Sequence, residues 1–133
     1  MSESTADVIR GVYDAFGRAD IPAILGVLDE GIDWSVPDNL PHGGDFHGRD
    51  GVGLFFQGIG ENWEDLAVDI EAIVSSGERV VVLARIHGRL RATGEQTGYK
   101  AAHAWTLRDD TPTGFAEYVD APLTLPAAHA ATT

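Results

Sequence analysis

The stretch RVVVLARIHGRLRATGEQTGYKAAHAWTLRDDTPTGFAEYVDA, residues 79–121, decides the fold. Its dominant hydrophobic spacing is two, the mark of strands with one buried face. Turn chemistry cuts it into pieces at Gly94-Glu95 and at Asp109-Asp110 before Pro112. Strands are expected at about 79–92, 98–108 and 113–121. Upstream of Ser76-Gly77-Glu78 the same period predicts another long strand at about 65–75.

Toward the N-terminus the period changes. Val8, Ile9, Val12 and Phe16 recur at three- and four-residue steps, predicting a helix from near Thr5 that ends at Gly17. Asp20 can cap a second helix with Pro22 in its first turn, a buried face of Ile24, Leu25, Val27 and Leu28, and Gly31 as its C-terminal cap. Ile32, Trp34 and Val36 alternate with Asp33 and Ser35, a short strand stopped by Pro37. Residues 38–46 read as a loop, and Arg49 to about Gly60 as a third, glycine-weakened helix. Helices gathered first and a strand meander last imply an α+β fold, not βαβ winding. A strongly curved, mostly antiparallel sheet under three N-terminal helices would enclose a cone, and such a cone is a natural small-molecule pocket.

The chain has 133 residues, room for one domain, taken as 1–126, with an Ala/Thr-rich tail at 127–133 expected to fray. Cysteine is absent, which removes disulfides and thiolate chemistry. A net charge of −12 disfavours nucleic acid and anionic membranes as partners. Met1–Asp7 is polar and no apolar run approaches membrane-spanning length, so the expected address is the cytoplasm. No cofactor is implied. His42, Asp45 and His47 invite a metal reading, but the stretch is glycine-rich and lacks a further ligand; a surface loop over the pocket mouth is preferred, with His47 as a gate and no metal.

Several landmarks carry a resemblance: Tyr13-Asp14-Ala15-Phe16, Trp34-Ser35-Val36-Pro37, Phe46-His47-Gly48-Arg49-Asp50-Gly51-Val52, His103-Ala104-Trp105-Thr106-Leu107 and Phe115-Ala116-Glu117-Tyr118-Val119-Asp120. With their order they resemble the nuclear transport factor 2-like superfamily, and within it the SnoaL-like and ketosteroid-isomerase-related proteins. The resemblance implies a cone-shaped α+β barrel and homodimerization, for which Val80, Val82, Ala84 and Ile86 are the candidate outer face. It is specific for the fold and open on the reaction, since the superfamily holds isomerases, cyclases, epoxide-opening enzymes, dehydratases and binding proteins.

By resemblance, Asp120 matches the acid/base aspartate of SnoaL-like cyclases. Alternation places Ala116, Tyr118 and Asp120 on one face of the last strand, and Phe115, Glu117 and Val119 on the other. His103 shares a face with apolar Ala101, Trp105 and Leu107, and it falls where the isomerases place the acid of their oxyanion hole. An Asp120–His103 pair is therefore the expected catalytic dyad, doing acid/base chemistry on a hydrophobic, carbonyl-bearing, polyketide-like metabolite. A non-catalytic binder and an epoxide-opening enzyme are the alternatives. Tyr13, Trp34, His47, Trp63, Arg85, Trp105 and Tyr118 are the candidate ligand contacts. The isomerase base does not carry over, because Val36 stands in its place before Pro37.

Overall fold

The computed structural model describes residues 2–120, with side chains from Thr5 onward; the expected tail at 127–133 lies outside the described residues. Helix α1 (Ser2–Gly17) buries Ile9, Val12 and Ala15 on one stripe. Ala19 then takes a left-handed conformation, and Asp20 accepts from the backbone N–H of Ala23, starting α2 (Ile21–Val27) as its cap. The helix ends earlier than expected, at Leu28. Gly31 is not its cap; its N–H instead bonds the Asp29 carboxylate.

Strand β1 (Asp33–Val36) is followed, inside the expected loop, by β2 (Gly44–His47). Helix α3 (Gly48–Asn62) buries Val52 and Phe55. Four long strands complete the chain: β3 (Trp63–Ser76), β4 (Arg79–Leu90), β5 (Gln96–Arg108) and β6 (Thr111–Val119). They make a six-stranded sheet in the order β2-β1-β6-β5-β4-β3, antiparallel except where β1 runs parallel to β6. Two register breaks in β3, one beside Asp65 with positive φ, bend the sheet, as bulges do. Asp109 and Asp110, both at positive φ, close the β5–β6 hairpin.

The helices cover the concave side, so this is the nuclear transport factor 2-like α+β fold expected from the sequence. The parity of β4 corrects one expectation. Val80, Val82, Ala84 and Ile86 are buried and face the core, whereas Val81 and Leu83 point outward. No helix among the described residues is long and apolar enough to cross a membrane.

Candidate functional site

On β5 the inward residues are Tyr99, Ala101, His103, Trp105 and Leu107, all buried. Register sets Trp105 against Phe115 and His103 against Glu117 on β6. Directly opposed side chains in an antiparallel pair stand about 5 Å apart at Cβ, so an imidazole and a carboxylate at these positions meet. His103 Nε2 lies 2.8 Å from Glu117 Oε2, both groups buried. Helix α1 supplies Tyr13 to the far side of the ring, its hydroxyl 2.5 Å from His103 Nδ1. Trp105 Nε1 donates to the Tyr13 oxygen at 3.1 Å.

Chemistry orients this chain of bonds. An indole N–H only donates, so the Tyr13 oxygen accepts from Trp105. Burial pushes the Tyr13 phenol well above its ordinary range; the Trp105 bond opposes this in part, and the Glu117 charge adds to it. The phenol therefore keeps its hydrogen and directs it to His103 Nδ1. That leaves Nε2 to donate to the Glu117 carboxylate.

These groups line a cavity with about 510 Å³ of empty space, mouth included, of which about 60 Å³ accommodates the centre of a water molecule. A single water needs on the order of 10–15 Å³ by that measure, so the space suits a small organic molecule. Phe16, Ile24, Phe55, Phe56, Leu66 and Phe115 make its wall apolar. Trp34 stacks on Phe115 with ring centroids 4.0 Å apart; its indole N–H is sealed and has no partner among the described residues.

Three further polar features stand out. Oxygen Oε1 of Glu117 has no partner among the described residues and is not sealed off. The same holds for the Tyr99 hydroxyl, whose pKa is pushed up by burial first and by the Glu117 charge second. His42 comes from the turn between β1 and β2, where Leu40 N bonds Pro37 O and Gly43 N bonds Leu40 O. A Cβ at Gly43 would sit 2.0 Å from the Pro37 carbonyl oxygen, so only glycine lets the chain turn back and bury the neighbouring imidazole.

The SnoaL-like domain family matches residues 9–113. This chain belongs to that family. Among solved structures, the SnoaL-like chain is similar to a nuclear transport factor 2-like protein of unknown function from Burkholderia pseudomallei, at 28% identity over 88% of this chain and 91% of that one, with a TM-score of 0.81. A second such protein, from Burkholderia xenovorans, has 27% identity over 100% and 98% of the two chains and a TM-score of 0.82. A protein from Xanthomonas campestris described as a polyketide cyclase matches at 22% identity, over 90% and 92%, with a TM-score of 0.78. No curated protein matches the sequence.

In this SnoaL-like chain, Tyr13, Trp34, His103 and Trp105 are among the cavity-lining residues. Asp120 is not. It is exposed just past the end of β6, on the parity of outward Tyr118, and it is not among the cavity-lining residues. The inward carboxylate is Glu117, three residues earlier. Tyr118 and Arg85 are exposed on the convex face of the sheet. Trp63 is buried but does not line the cavity, and it bonds His42 instead. His47 is exposed and pairs with Asp33 at 2.8 Å. The His42, Asp45 and His47 group is thus split: His42 is buried in the cavity wall and Asp45 and His47 are exposed. No cluster able to hold a metal occurs among the described residues. Glu117 was signalled by its apolar neighbours Phe115 and Val119 at two-residue spacing. Tyr99 shared the period-two face of Ala101, His103 and Trp105, whereas His42 carried no such sign.

Proposed function

We propose that this SnoaL-like domain is an enzyme that moves protons on an apolar, carbonyl-bearing, polyketide-like molecule, in an isomerase- or cyclase-type reaction without a cofactor. The observation that supports this reading best is a buried carboxylate with one oxygen held by His103 and the other open to an apolar cavity. Glu117 takes a proton from the carbon next to the carbonyl, and the electron pair moves into the carbonyl to form an enolate. The Tyr99 hydroxyl donates to that oxygen. Glu117 then returns its proton, to another carbon in an isomerization, or to the alkoxide left when the enolate carbon attacks a second carbonyl and closes a ring. His103, backed by Tyr13 and Trp105, is the positioning group that keeps the carboxylate aimed. Aligned acid/base groups of this kind contribute on the order of 10²–10⁴ in rate.

The test uses 2-tetralone, a bicyclic ketone with acidic α-hydrogens, in D₂O. Protein-dependent exchange of those hydrogens that is lost in Glu117→Gln supports the reading. Binding without exchange would make the domain a carrier. The outward face of the sheet is a second part of the proposal, as a homodimer surface. Val74, Val81, Leu83 and Tyr118 are exposed there; Val74 pairs with Val81, Val81 with Ala104, and Leu83 and Tyr118 flank Ala102.

A further inference from the structure

Trp63, the first residue of β3, donates its indole N–H to His42 Nδ1 at 3.0 Å in the interior. Tryptophan has no acceptor to offer, so Nδ1 must be the unprotonated nitrogen, and a neutral His42 must carry its hydrogen on Nε2. That second nitrogen has no partner among the described residues and is not sealed off, while the ring lines the cavity. Phe55 and Trp63 pack edge-on against the imidazole, at 5.7 and 6.1 Å between centroids, which fixes the plane of the ring. We propose that His42 is a specificity-determining residue whose Nε2–H, held in one tautomer by Trp63, donates to the oxygen of a neutral carbonyl ligand.

Charge supports this assignment. Burial pushes His42 down to about 4; the nearby Glu117 charge opposes that shift and His103 adds to it. At neutral pH the imidazole is therefore an uncharged donor. Beside the Tyr99 hydroxyl, it is a second donor to the oxygen that gains negative charge, and it does so without itself exchanging a proton with solvent. The inference deepens the proposed function by naming the recognised group. A neutral acceptor oxygen fits, whereas a carboxylate would be repelled by Glu117 and an amine would find no acceptor at His42.

Three measurements on the full chain test it. Nitrogen-15 NMR of the unsubstituted protein at pH 7 should show His42 with Nε2 protonated, and Trp63→Phe should relax it toward a mixture of tautomers. Binding of 2-tetralone should weaken about tenfold in His42→Phe, the loss of one hydrogen bond, while binding of tetralin, which lacks the carbonyl, stays unchanged. The double variant His42→Phe/Trp63→Phe should behave likewise without stranding the indole N–H. Nδ1-protonated His42, or equal losses for both ligands, or no loss for either, would overturn the proposal. Exchange that persists in Glu117→Gln would instead remove Glu117 as base and leave the His42 donor standing.

Discussion

The two faces of the β5–β6 pair have the same backbone and different surroundings. Toward the helices stand Tyr99, His103, Trp105, Phe115 and Glu117, all buried, the last four linked by hydrogen bonds or ring contacts. Away from them stand Lys100, Ala102, Ala104, Ala116 and Tyr118, the last 64% exposed. A carboxylate on the first face has left water and is held by one imidazole. One at position 120 stays in water. Residue type therefore matters less than parity, because a one-residue change of register exchanges the two faces.

The largest effect on stability should come from emptying the inner face. Phe115 stacks on Trp34 and meets Trp105 edge-on at 4.8 Å. Phe115→Ala should cost about 3–5 kcal/mol in urea unfolding, as truncation of a buried aromatic does. A loss below about 1 kcal/mol would mean the aromatic cluster is not the packed core described.

Next comes pH. His42 is held to about 4 in the folded chain against 6.5 for the free side chain. Its folded pKa is the lower one, so between those values the unfolded chain binds more protons and stability falls as pH drops. The contribution is complete above about pH 6.5, and at most ~3 kcal/mol of it is lost by about pH 4. Urea midpoints across that window should flatten in His42→Phe/Trp63→Phe. An unchanged slope would show that His42 is solvated.

Smaller effects belong to the outer face. Leu83→Lys, at a residue 42% exposed, should leave the fold intact, with an unchanged far-ultraviolet circular dichroism spectrum. Sedimentation at micromolar concentration should shift it from dimer to monomer, and an unsubstituted protein that is monomeric there contradicts the dimer surface. Tyr118→Ser should change 2-tetralone binding less than twofold, since Tyr118 does not line the cavity.

Legibility in the sequence followed the same division. Period-two runs marked β3 to β6 to within about two residues; in β4 to β6 one-sided burial writes itself into nearly every second position, whereas two register breaks leave the burial of β3 irregular. Strand β2 escaped because four residues after Gly43 carry too short a pattern, and its existence depends on pairing with β1. At the site, His103 was legible from its apolar face. Glu117 had the same signature in Phe115 and Val119, yet the likeness to cyclases favoured Asp120, whose parity was wrong. His42 was hidden for a different reason. Its burial depends on Trp63, 21 residues away, and on a turn that only Gly43 permits. Nothing local distinguishes it from exposed His47, five positions on.

The choice between the two carboxylates is the sharpest test. Deuterium exchange into 2-tetralone should be measured side by side for Glu117→Gln and Asp120→Asn, with circular dichroism confirming that both fold. The expected loss is on the order of 10²–10⁴ in the first and less than twofold in the second. Equal rates in the two variants, or a loss confined to Asp120→Asn, would contradict it.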